Sequence, residues 1–136
     1  MNSYQSYKFE GSVALGAGLA VVAGTNAGGC NLPAAANAKG FMGFTSDSLP
    51  ASSTGVAVPV ARGRCRAVAV GAITHGHWVS IADNTGKVQD CQAAVDAAPG
   101  TPAEVNVIGK AETDAVNSGD VVVVTTQEFV VQIATS

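Results

Sequence analysis

His77-Trp78-Val79-Ser80-Ile81-Ala82, then Asp83-Asn84-Thr85-Gly86, then Lys87-Val88-Gln89-Asp90-Cys91, is the stretch that decides the fold class. Two short runs holding β-branched and aromatic residues flank four residues of turn chemistry. Asn and Gly there tolerate left-handed backbone angles, and Asp closes a turn through its own side chain. That is the signature of a hairpin. The same alternation of short apolar run and turn cluster continues in both directions. It predicts strands at 13–23, 40–45, 55–60, 64–70, 77–82, 87–91, 104–111, 120–126 and 128–134. Thr25-Asn26-Ala27-Gly28-Gly29 and Asn117-Ser118-Gly119-Asp120 supply further turns. Only 33–39 and 90–98 read as short helical segments, and Pro99-Gly100-Thr101-Pro102 closes the second. The expectation is an all-β, single-domain small barrel or jelly-roll-like sandwich.

Composition agrees with that pattern. Ala (24), Val (20) and Gly (16) dominate the 136 residues, while Leu and Ile contribute four each. Helical proteins lean on Leu, Glu, Lys and Arg, so this balance favours strands with small, closely spaced cores. Charged residues are 12% of the chain, about half the usual ~25%. The formal net charge is −3, which gives no uniformly basic field for nucleic acid. Apolar runs such as 17–24 and 121–124 fall short of the roughly 18 residues of a membrane helix, and 13–23 reads as a strand, not a signal segment. Cys30, Cys65 and Cys91 are an odd set without C-x-x-C spacing, as expected of reduced thiols. No repeat with a period of roughly 20–50 residues is legible, and one domain is expected.

Residues 1–12 carry Tyr4, Tyr7 and Phe9 in a polar setting, the pattern of an N-terminal arm or an edge strand preceding a β domain at 13–136. Arg62-Gly63-Arg64-Cys65-Arg66 places three of the seven basic residues at alternate positions. In an extended strand they share one face and form a local positive stripe. Arginine suits docking against acidic protein surfaces because its planar fork bonds carboxylates in pairs. Trp78 suits a core plug or an interface anchor.

Chemistry is sparse by comparison. His75-Gly76-His77 could begin a metal site with Asp83 or Asp90, but the pair fits a turn better, and no metal is expected. Gly16-Ala17-Gly18 lacks the rest of a dinucleotide fingerprint, and no phosphate loop or G-x-S-x-G elbow occurs. No catalytic residue and no cofactor are expected.

The run Val58-Pro59-Val60-Ala61-Arg62-Gly63-Arg64-Cys65-Arg66-Ala67-Val68-Ala69-Val70, continuing through Gly71 to Val79 and then Asp83-Asn84-Thr85-Gly86-Lys87-Val88, resembles the middle of small tailed-phage head-decoration proteins, the capsid cement proteins. Val107-Ile108-Gly109-Lys110-Ala111 followed by Ala115-Val116-Asn117-Ser118-Gly119-Asp120-Val121-Val122-Val123-Val124 is similar to that family's closing pattern. The likeness covers about half the chain, residues 55–126, and rests on general strand and turn signatures. Gly76-His77 stands where the family often has Gly-Asp. The resemblance implies a non-enzymatic structural virion protein, made in the host bacterial cytoplasm, that binds the outer surface of the capsid and clamps neighbouring major capsid protein subunits. A homo-oligomer, dimer or trimer, is expected. The candidate contact residues are Tyr4, Tyr7, Phe9, Arg62, Arg64 and Arg66. Two other readings remain open. A carbohydrate- or host-surface-binding β-domain would need exposed aromatics beside loops, and a small hydrolase or metal enzyme would need His75 and His77 to meet a carboxylate.

Overall fold

A computed structural model describes residues 3–51, 54–97 and 103–133, with side chains from residue 5 to residue 131 among them. Five strands, β1 (Ser3–Phe9), β2 (Ala20–Ala23), β3 (Gly29–Asn31), β4 (Phe41–Thr45) and β5 (Ala57–Arg62), close a barrel in the order β1-β3-β2-β4-β5. Alternation along β5 explains the closure: Val58 and Val60 are buried inward beside Phe9, Leu15, Val21 and Cys30. A second sheet contains β6 (Arg64–Val68), β7 (Trp78–Ile81), β8 (Val88–Asp90), β9 (Ala103–Ala111) and β10 (Val121–Ile133), in the order β6-β10-β9-β7-β8. A parallel bridge between Ala69 and Val88 draws its two outer strands together. The all-β expectation holds, and of the two shapes foreseen the barrel is the one built.

Several boundaries differ from the sequence reading. Segment 13–23 is a strand only at its end, because Gly18 turns the chain at φ 79. Gly29–Asn31, outside the strands expected and overlapping the expected turn only at Gly29, is a strand parallel to β1. Stretch 33–39 is a turn around Asn37, the one non-glycine among the described residues at positive φ (58). The helix α1 is just Gln92–Val95. The two strands expected at 120–126 and 128–134 are one, with a bulge between Thr126 and Phe129. Within the stretch expected as an arm or edge strand, Ser3–Phe9 is an inner stave of the barrel, with β5 on one side of β1 and β3 on the other.

The two halves of the chain repeat one plan. Gly18 N–H donates to Thr45 O at 2.7 Å, and Gly76 N–H to Ala111 O at 2.7 Å. Thr45 N–H donates to Leu19 O and Ala111 N–H to His77 O, both at 2.9 Å. Leu15 and Leu49 exchange two bonds, as Ile73 and Ala115 do. Gly55 N–H reaches Phe9 O as Gly119 N–H reaches Ala69 O. Even the crowding recurs. A Cβ on Gly43 would lie 2.6 Å from Ala61 O, and one on Gly109 would lie 2.6 Å from Thr125 O, so only glycine lets β4 and β9 approach their neighbours. The chain is a tandem pair of five-stranded units with a period longer than the roughly 20–50 residues of common repeat families.

The units share a seam. Phe41 and Phe44 meet edge to face, centroids 5.1 Å apart, and join Ala20 and Ala61 in one cluster with Cys65, Ile81, Ile108 and Val124 of the second unit. Asn37 clasps the two. Its N–H donates to Ile81 O, its Nδ2 to Glu104 O, and its Oδ1 and carbonyl accept from the backbone and side chain of Asn106, which is 7% exposed. The corresponding face of the second unit is closed by its own chain. Ala20 N–H donates across the seam to Gly86 O at 2.8 Å, whereas its counterpart Trp78 N–H donates to Gln92 Oε1 of α1 at 3.1 Å, and Phe129 covers the Trp78 ring at 4.8 Å.

Asn37→Ala removes the side-chain bonds and puts alanine, which adopts a left-handed backbone less readily than asparagine, at φ 58, so a loss of about 2–4 kcal/mol is expected. Asn37→Gly should lose less. Urea unfolding of both variants checks the order.

Candidate functional site

Gly63, at φ 98, separates the alternating arginines. Arg62 ends β5, while Arg64 and Arg66 lie on β6, so the three do not form one stripe. Arg62 is tied inward: it donates to Met42 O at 3.1 Å, pairs with Glu128, and lies 5.7 Å over the Phe41 ring. Arg64 and Arg66 stay together and project outward from β6. Arg64 Nε donates to Glu112 Oε2 at 3.1 Å, and that oxygen also accepts from Thr125 Oγ1 at 2.6 Å.

These two arginines line an open groove of about 900 Å³ on one side of the seam. Phe44, Thr45, Ala61 and Cys65 are its buried floor, with Ala17, Thr113, Asp114 and Val121 exposed around it. Val121 is 55% exposed there, an apolar residue left in water beside cations. Sequence reasoning found the arginines through their alternation. It missed the groove, whose walls come from five separated segments.

The aromatic candidates fall differently. Phe9 is fully buried in the first barrel and Tyr7 packs against the same core, because β1 is a barrel stave whose inward positions must be filled. Phe9 therefore offers nothing to a partner. Tyr4 lies in β1, and its side chain falls outside the described residues. Trp78 is partly buried, held between Phe129 and Lys110 Nζ, 5.3 Å from its centroid.

Each histidine meets a carboxylate, but not the same one. His75 Nδ1 lies 2.9 Å from Asp114 Oδ1, and His77 Nδ1 lies 2.7 Å from Asp90 Oδ2. Asp90 was anticipated. Asp114 was not, being in the loop after β9, and Asp83 instead accepts from Thr85 N–H. Among the described residues no group of three or more His, Cys, Asp or Glu side chains could hold a metal ion. The carboxylates act as loop fasteners. Burial opposes the charge on Asp90, yet N–H donation from Gln92 and Thr74 and the His77 ring outweigh it, holding its pKa below 3.8. The backbone and ring of His75 do the same for Asp114. The thiols are buried: loss of solvent raises Cys30, beside Glu10, and Cys91 to about 11, and raises Cys65.

No protein-family model matches this chain, and no curated protein matches it. Among solved structures, the head fiber gp8.5 N base of bacteriophage phi29 is similar, with a TM-score of 0.56 at 15% sequence identity over 93% of this chain and 95% of that one. At that identity the shared property is the fold. The head-fiber base therefore matches both units of the chain, since the superposition spans nearly the whole of each protein. Among the described residues no helix is long and apolar enough to cross a membrane.

Two outcomes follow from these environments. Cys30, Cys65 and Cys91 should resist iodoacetamide at pH 8 in the folded protein and react fully in urea, read by mass spectrometry, since the thiolate is the nucleophile. The lowered Asp90 pKa stabilises the fold above about 3.8 and that contribution disappears as pH falls through the folded value, so Asp90→Asn should flatten the acid limb of urea midpoint against pH.

Proposed function

We propose that this protein is a non-catalytic structural component of a tailed-phage virion, placed on the outer surface of the head, where it binds the major capsid protein and ties neighbouring subunits together. The observation that carries the reading is the fold shared with a phage head-fiber base along nearly the full length of both chains. The resemblance of residues 55–126 to capsid cement proteins points the same way and rests on separate features. A homo-oligomer suits the role, because several weak contacts made by linked subunits add through effective concentration.

The chemistry of the surface supports a binding role over turnover. The histidines are committed at Nδ1 to two different carboxylates, and the thiols are buried. A glycan-binding reading gains nothing from Trp78, whose ring is covered by Phe129 on one side and Lys110 on another. What faces water instead is the groove with Arg64, Arg66 and Val121.

Cosedimentation with shells of the virus that encodes this chain tests the role. Replacing Arg64 and Arg66 together with Ser should lower shell occupancy severalfold with an unchanged melting temperature. Arg62→Ser should do the reverse, costing about 1 kcal/mol of stability through its lost ion pair and ring contact while leaving attachment intact. A folded wild-type protein that leaves shells bare would end the proposal.

A further inference from the structure

Strand β6 is an edge of the second sheet. Its hydrogen-bonding register shows which of its backbone groups are spent. Ala69 N–H donates to Asp120 O, and Thr126 N–H donates to Gly63 O. In an antiparallel ladder, residues bonded to the partner strand alternate with residues whose N–H and C=O point away. The odd-numbered residues from Gly63 to Ala69 therefore serve β10, and Arg64, Arg66 and Val68 point to the opposite side. Val68 confirms this: its N–H donates to Gly18 O across the seam at 2.9 Å. One step back along the edge, the N–H of Arg66 has no partner among the described residues, and Arg66 lines the open groove.

The protein already shows what this edge accepts. At Val68 a backbone carbonyl of the first unit adds to it in the manner of a neighbouring strand. The groove continues that position past the point where the first unit turns away. Its floor, Phe44, Cys65 and Ala61, asks for small apolar side chains, and Val121, Val123 and Arg66 lie around it. Of the charges around it, Arg64 is held by Glu112 and Asp114 by His75, whereas Arg66 makes no ion pair among the described residues. A strand docked here would present alternate residues to the floor and to Arg66.

We infer that the edge of β6 at Arg66 receives an extended segment of the major capsid protein, which pairs with the Arg66 backbone, alternates small apolar side chains with acidic ones, and sets a carboxylate against the Arg66 guanidinium. This rests on the capsid role proposed above and names the contact by which it is fulfilled. Strand addition gives affinity through main-chain bonds and leaves specificity to the flanking side chains. It also covers an edge that would otherwise invite unwanted pairing.

Hydrogen exchange of the unaltered protein, free and bound to cognate shells, tests the contact. The Arg66 amide should exchange at least ~10-fold more slowly on shells. Two variants separate backbone from charge. Arg66→Pro deletes the N–H at an edge position where proline is tolerated, and Arg66→Glu keeps the N–H but reverses the charge. Each should raise the half-saturating concentration on shells by ~10-fold or more. If Arg66→Pro fails to fold, the exchange measurement and Arg66→Glu decide. Shells that bind the protein without slowing the Arg66 amide would overturn the edge contact and leave the capsid role standing. Shells that do not bind it at all would overturn both.

Discussion

The seam between the two units governs everything else about this chain. It consumes Phe41 and Phe44, two of the four phenylalanines, in a protein otherwise built from alanine and valine. Burying two such rings yields roughly 1.5–3 kcal/mol each, a large share of what a domain of this size has to spare. The approach is close enough that backbone meets backbone: a Cβ on Gly86 would sit 2.7 Å from Ala20 O. The seam is tight there and is tied again at Asn37, and the groove lies beside it.

That geometry separates chemistry from contact. Several ionisable groups fasten loops within the fold: Glu10 accepts the N–H groups of Thr25 and Asn26, Asp120 those of Val116 and Asn117, and both histidines lean on carboxylates. Each of these bonds secures a turn. On the surface, Arg64, Arg66 and exposed Val121 come together at the groove.

Much of the fold could be read from local residues, and the failures have local causes. The hairpin at Asp83–Gly86 was legible because its turn chemistry is contained in four residues, confirmed by the Asp83 bond to Thr85 N–H. Strand β3 was not, since three residues that begin with a glycine and follow another carry no periodicity. The bulge at Thr126–Phe129 imitates a turn between strands, so one strand read as two. The duplication was hidden because the halves retain mainly what the backbone demands, as at Gly18 and Gly76, Gly28 and Gly86, or Gly43 and Gly109, together with a few core valines, while other core positions differ, Tyr7 and Phe9 against Ala67 and Ala69. Alternation exposed Arg64 and Arg66. The switch of sheets at Gly63 removed Arg62 from their company, and nothing in the spacing announced it.

The altered cores have a consequence for how the chain reaches its native state. Tandem copies of one topology invite crossed assembly during folding, with β6 entering the first barrel or β1 the second sheet. Here such an exchange is penalised in both directions. Ala67 and Ala69 in place of Tyr7 and Phe9 would leave the first barrel hollow, and the aromatic pair would not fit the space that two alanines fill in the second unit. Divergence between the halves thus acts as a sorting code, telling each strand which unit it belongs to.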